Sequence, residues 1–158
     1  LRIGCLLHSD DILQVCPPIP LLACIPSLPL KLVMPLLALA QDLQSIGIEA
    51  LVYGSLAWQT ISGLEYLHAE SDIDLLCEVN TPAQLPELIA ILKKTSSTLV
   101  HRLDGEIRFP DGSAVAWLEL ANALNDPTAE LLIKGDTDVR MVHFSHLDNF
   151  FREKTDAR

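Results

Sequence analysis

The sequence predicts an α+β domain built on one mixed sheet with flanking helices. Two observations carry this. Apolar residues at helical spacing alternate along the chain with short apolar runs of strand type. The last strand-type runs then lie close together, separated only by turn residues, which argues for hairpins beside a crossover unit. The chain has 158 residues, 49% hydrophobic and 20% charged, enough for one buried core.

The elements follow in order. Ile12 to Leu30 carries no charge, but Pro17, Pro18, Pro20, Pro26 and Pro29 interrupt it. Each proline removes a helical hydrogen bond, and the freed backbone groups would be costly in lipid. The segment therefore reads as an extended, partly buried arm, not a membrane span. The chain begins with Leu rather than Met, so sequence is expected before it. Residues 1–30 are expected to form a proline-rich arm left from an N-terminal region, 31–151 the folded domain, and 152–158 a tail.

Leu32, Leu36, Leu39, Leu43 and Ile46 recur at helical spacing until Gly47. Glu49 to Tyr53 reads as a strand, Gly54-Ser55 closes it, and a helix is expected from Leu56 to Ser62. A loop from Gly63 to Ser71 leads to a second buried strand, Ile73 to Val79. Thr81 as N-cap and Pro82 in the first turn open a helix running to Lys94. Thr98 to Phe109 reads as strand, with a break expected at Gly105. Pro110-Asp111-Gly112 is a turn, and Ser113 to Trp117 returns as a hairpin arm. A short helix is expected over Leu118 to Leu124. Strands follow at Leu131 to Lys134 and Val139 to His143 about a Gly-Asp turn, then a short helix from His146 to Phe151.

Charge narrows the partners. Eleven Lys and Arg against 21 Asp and Glu leave a net charge of −10. That argues against nucleic acid and against an anionic membrane surface. It suits a metal held by carboxylates, or a small ligand held by a few local cations. Cys5, Cys16, Cys24 and Cys77 show no CxxC spacing, and no histidine pair completes a zinc pattern. They read as small hydrophobes in a reducing, cytoplasmic setting.

The segment from Tyr53 to Glu78, YGSLAWQTISGLEYLHAESDIDLLCE, carries the chemistry. Residues i and i+2 of a strand share a face, so Asp72 and Asp74 are expected to project side by side. Two adjacent carboxylates become stable together when a divalent cation sits between them, and Mg²⁺ accepts one or two carboxylates with phosphate oxygens completing its shell. Gly54-Ser55 joins a strand to a helix. The glycine lets phosphate approach the backbone, the helix start offers free N–H groups, and the serine hydroxyl adds a donor. Either feature alone is ordinary: a Gly-Ser pair is usually a turn, and an Asp-x-Asp usually a solvated loop or cap. Here the acid pair leads directly into buried Leu75, Leu76 and Cys77, where surface decoration has no need of it.

Strand, Gly-Ser, helix and then Asp-x-Asp on the next strand resembles the nucleotidyltransferase superfamily, with its polymerase-beta-like fold. The resemblance implies a third carboxylate on a later strand. Asp104 in HRLDGEI matches, with Glu106 the fallback two residues on. The segments GSLAWQ, TISGLEYLHAESDIDLL, RLDGEIRFPDGSAVAWLEL and LLIKGDTDVRM are similar to the phosphoribosyl-dephospho-CoA transferases of malonate decarboxylase, also called holo-acyl-carrier-protein synthases, over residues 45 to 145. The resemblance implies more chain, with basic residues, ahead of the matching part.

This resemblance implies transfer of a prosthetic group from a triphosphoribosyl-dephospho-CoA donor to a serine of the acyl carrier subunit of malonate decarboxylase, with loss of pyrophosphate. Asp72, Asp74 and Asp104 would be catalytic and would ligate Mg²⁺. Asp104 would also orient or deprotonate the serine, and Gly54 and Ser55 would hold pyrophosphate. Lys134 and Arg140, flanking the Gly135-Asp136 turn, are candidate phosphate contacts, against a plain solvated surface. Arg102 and Arg108 are further cations, though Arg102 also suits a neighbouring acid. Lys93, Lys94, Arg102 and Arg108 are candidates for a carrier-docking patch. Trp58, one helical turn after Ser55, either stacks on a base or sits in the core, and Trp117 is similarly open. His68 and His101 are left out of the site. Two rival readings use the same residues: a minimal adenylyltransferase working from ATP, and a catalytically dead binding module.

Overall fold

A computed structural model of the chain describes residues 4, 6, 8–126 and 128–151. Among the described residues seven strands form one sheet: β1 (Ile19–Pro20), β2 (Ala50–Tyr53), β3 (Ile73–Glu78), β4 (Leu103–Arg108), β5 (Ala114–Ala116), β6 (Glu130–Lys134) and β7 (Val139–His143). Their order in space is their order in sequence. Among the described residues β3 and β4 are the one parallel pair, and the other neighbours are antiparallel. The helices are α1 (Leu21–Cys24), α2 (Leu30–Ser45), α3 (Gly54–Ser62), α4 (Gln84–Thr98) and α5 (Trp117–Ala123). α4 supplies the crossover that parallel pairing of β3 and β4 requires. The α+β class and the mixed sheet are as the sequence predicts. Among the described residues no helix is long and apolar enough to cross a membrane.

The helices pack on one face of the sheet. Val52 of β2, Ile73, Leu75 and Cys77 of β3, and Leu103 and Ile107 of β4 join one cluster with the buried side chains of all five helices. α2 shows why the sequence folds this way. Leu32, Leu36, Leu39 and Leu43 lie on one stripe and are at most 1% exposed. Burying each contributes about 1.5–3 kcal/mol before entropy is counted. Pro35 sits inside this helix, where it has no N–H to give the carbonyl four residues back, that of exposed Lys31. Gly47, at φ +74°, then turns the chain out of the helix. Because strand side chains alternate, Tyr53, Asp74, Asp104 and Glu106 fall on the opposite face, which no helix among the described residues covers.

Several boundaries differ from the sequence reading. The expected arm is partly buried, with Leu21, Cys24 and Leu28 in the core, but it is not extended past Pro20: β1 pairs with β2 and short helical turns follow. The prolines open helical turns there, Pro20 and Pro29 as N-caps of α1 and α2 and Pro26 in the first turn of a 3₁₀ helix, without preventing burial. α4 starts at Gln84, not at Thr81, and runs four residues past Lys94. Thr81 does not cap it with its side chain. Instead Gln84 Oε1 accepts the N–H groups of Asn80 and Thr81 at 2.8 and 3.1 Å, and Pro86 occupies the first turn. β4 starts at Leu103, because α4 occupies Thr98 and the buried His101 ring bonds the His68 carbonyl at 3.1 Å. Gly105 does not break the strand. It lies opposite Leu75 at φ +130°, where a Cβ would come 2.6 Å from the Leu75 nitrogen. The last element, Phe144–Phe151, is a 3₁₀ helix. Cys5 and the expected tail lie outside the described residues.

Candidate active site

The uncovered face carries a row of polar side chains. Register places Tyr53 opposite Asp74 and Asp74 opposite Asp104 across β2, β3 and β4. Asp72 stands one residue before β3 and Arg102 one residue before β4. The Arg102 guanidinium grips Asp72 with both ends, one bond (Nε to Oδ1) being 2.9 Å, and its Nη2 also donates to Asp104 Oδ2 at 2.8 Å. The two bonds hold the Asp72 carboxyl below the ordinary carboxylate value. Among the described residues Asp74 has no such hydrogen-bonding cation. Burial pushes its carboxyl up, and the charges of Asp104 and Asp72 push it further. The structure thus brings Asp72, Asp74 and Asp104 together, with Arg102 bridging two of them.

Gly54 connects this row to α3. Its φ is +65°, a backbone that glycine adopts without strain. The Asp74 carboxyl fills the place of the missing side chain: a Cβ there would lie 3.0 Å from Asp74 Cγ and would overlap the carboxylate oxygen. The first turn of α3, with Ser55 half-buried in it, therefore opens beside Asp74. Its leading N–H groups lack helical partners and suit an anion. One turn on, Trp58 is 60% exposed. It walls a cavity of about 510 Å³ between α3 and the 14–19 segment. Trp117, by contrast, is core, its indole N–H donating to the Leu103 carbonyl at 3.2 Å.

The two C-terminal cations part company. Lys134 faces the acidic row and bonds Glu106. Arg140 pairs in register with buried Ile133, so it points to the other face. It bonds Asp138 and lies 5.7 Å above the Phe150 ring. The turn flanked by both residues is a hairpin, and alternation sends them to opposite sides. The expected docking patch is also divided. Lys93 and Lys94 stay on α4, bonding the Ala121 carbonyl at 3.2 Å and Asp42 at 2.9 Å. Arg108 lies on the uncovered face, 3.1 Å from Glu78.

Tyr53 is a site residue that sequence reasoning passed over. Burial, then the charges of Glu106, Asp74 and Asp104, push its phenol up to about 12. It is a neutral hydrogen-bond donor at any physiological pH. The signal was its place at the end of β2, directly before Gly54.

Among the described residues no three His, Cys, Asp or Glu side chains form a ready group for a metal ion. The donor set still suits Mg²⁺. It offers hard oxygens only, and one or two carboxylates suffice when phosphate oxygens complete the shell. The like charges that raise Asp74 are what a bound cation would relieve.

The family model described as phosphoribosyl-dephospho-CoA transferase MdcG C-terminal domain matches residues 20–144. A phosphoribosyl-dephospho-CoA transferase of Xanthomonas euvesicatoria pv. vesicatoria is 35% identical over 142 residues, and one of Xanthomonas axonopodis pv. citri is 33% identical over 141. Each alignment covers 89% of this chain and 64% of the relative. A protein of the same name from Bradyrhizobium diazoefficiens is 38% identical over 87 residues, 55% of this chain and 37% of the relative. The chain thus spans less than two thirds of the length of these relatives. No solved structure gives a significant match. With the matched region running from β1 through β7 and enclosing the whole acidic row, the chain belongs to the family of MdcG C-terminal domains.

Proposed function

We propose that this chain carries the catalytic part of a phosphoribosyl-dephospho-CoA transferase with a nucleotidyltransferase-type fold. Its donor is triphosphoribosyl-dephospho-CoA, its acceptor a serine of the malonate decarboxylase acyl carrier subunit, and its leaving group pyrophosphate. The observation that carries this reading is the pairing of Asp74 with Asp104 beside the Gly54 turn, in a chain whose relatives bear that name. The free thiols of Cys16, Cys24 and Cys77 accord with a cytoplasmic setting.

Phosphoryl-type transfer asks a protein mainly to position reactants and to balance charge. Asp72, Asp74 and Asp104 would hold Mg²⁺, which when bound neutralises part of the triphosphate charge. Asp104 orients the carrier serine and takes its proton. The bond from serine Oγ to phosphorus forms as the bond from that phosphorus to the pyrophosphate oxygen breaks. The first turn of α3 and the Ser55 hydroxyl receive the departing pyrophosphate. Lys134 and Arg102 lie on the same face and supply local positive charge.

Intact mass of the carrier subunit, after incubation with this chain, Mg²⁺ and either donor, tests the reading. A mass gain from triphosphoribosyl-dephospho-CoA and none from ATP is expected. A gain from ATP alone would make the chain an adenylyltransferase, and none from either, with a folded chain, would make it a binding module.

A further inference from the structure

The cavity beside Gly54 differs in character from the acidic row it adjoins. Tyr53, Gly54, Ala57, Trp58 and Ile61 form one wall, and the 14–19 segment, with Cys16 at its middle, forms the other. No lining side chain is charged at neutral pH, and the volume of about 510 Å³ lies within the range of small-molecule sites. Tyr53 belongs both to this wall and, through its register with Asp74, to the carboxylate row. The cavity is therefore the uncharged continuation of a site built for phosphate.

Two features say what fits there. Trp58 presents an indole that is 60% exposed on an apolar wall, a flat surface left open for stacking. Gln14 lines the same cavity, and a carboxamide's paired donor and acceptor match the edge of an adenine. We infer that this cavity binds the adenine of the dephospho-CoA donor, stacked on Trp58, while the phosphates lie toward Gly54. The inference rests on the proposed transferase function. Within a dephospho-CoA the adenine is the one aromatic ring, whereas the pantetheine arm is flexible and offers nothing to stack.

The chain carries its own reporters. Trp58 is exposed and Trp117 buried, so a ligand in the cavity should quench one tryptophan and spare the other. Cys16 is exposed and free, whereas Cys24 and Cys77 are buried. Dephospho-CoA, AMP and pantetheine would each be added to the purified chain. Calorimetry would give affinity, emission would follow Trp58, and peptide mass after iodoacetamide would report Cys16. Dephospho-CoA and AMP should quench emission and protect Cys16, and pantetheine should do neither. Trp58→Ala should weaken dephospho-CoA about tenfold or more, and Trp58→Phe much less.

Tight dephospho-CoA binding that ignores Trp58→Ala and leaves Cys16 reactive would overturn the inference while leaving the transferase reading intact. Protection by pantetheine alone would assign the cavity to the thiol arm instead. A Cys16 unreactive without ligand would mean that the chain itself covers the cavity. Absence of dephospho-CoA binding by the folded chain would overturn the inference and the transferase reading together.

Discussion

Gly54 and Asp74 share one volume: the Asp74 carboxyl occupies the space where residue 54 would otherwise carry a side chain. The start of α3 and the central acid of the row are thereby held together. Gly54→Ala forces both a left-handed alanine, at about 1–2 kcal/mol, and a displaced carboxylate. The variant should fold, lose about that much stability in urea titration, and lose carrier modification far more steeply than stability.

Gly105 makes the contrasting case. A Cβ there meets the Leu75 backbone, 2.6 Å from its nitrogen and 2.7 Å from its carbonyl carbon, and a sheet backbone cannot step aside. Gly105→Ala should cost about 4 kcal/mol or more, or leave the chain insoluble. Circular dichroism against urea separates this structural glycine from the one at the site.

Asp74 should give the site a pH signature. Its folded pKa is raised, first by burial and then by Asp104 and Asp72. The folded state therefore holds a proton more tightly than the unfolded chain does. Stability is lost as pH rises through the window between the ordinary carboxylate value and the raised one. Asp74→Asn should accordingly raise the melting temperature at pH 7, with the gain disappearing in acid below that window. Asp104→Asn should lower the Asp74 pKa, and Arg102→Gln should raise it, as read by carboxyl carbon NMR.

Lys134 and Arg140 should separate cleanly. Lys134→Ala removes a cation from the uncovered face and should reduce the carrier modification rate about tenfold. Arg140→Ala removes one from the opposite face and should leave that rate within about twofold. Initial rates from carrier intact mass, at saturating donor, check both.

Much of this site was legible because its signals are local. Asp72 and Asp74 flank Ile73 on a buried strand, and Gly54-Ser55 joins a strand to a helix, patterns that a few residues carry whole. Asp104 needed the resemblance, since its alignment with Asp74, about 30 residues away in the chain, depends on the parallel register of β3 and β4 across the α4 crossover. Lys134 and Arg140 fall on opposite faces, which proximity to one turn does not reveal. Only the strand alternation that seats Ile133 in the core decides that. The short helical turns within residues 19–28, read as an extended and partly buried arm, were hidden for another reason. Proline spacing forbids a long helix, but it does not forbid short turns, and Leu21, Cys24 and Leu28 fill the core from them.

The pairing of Asp74 with Asp104 is tested most directly by intact mass of the carrier subunit over time, with triphosphoribosyl-dephospho-CoA, Mg²⁺ and either the native chain, Asp74→Asn or Asp104→Asn. The native chain should add one phosphoribosyl-dephospho-CoA per carrier, and each folded variant should be slowed more than about 100-fold. Variants that modify the carrier at the native rate would contradict the central role given to this pair.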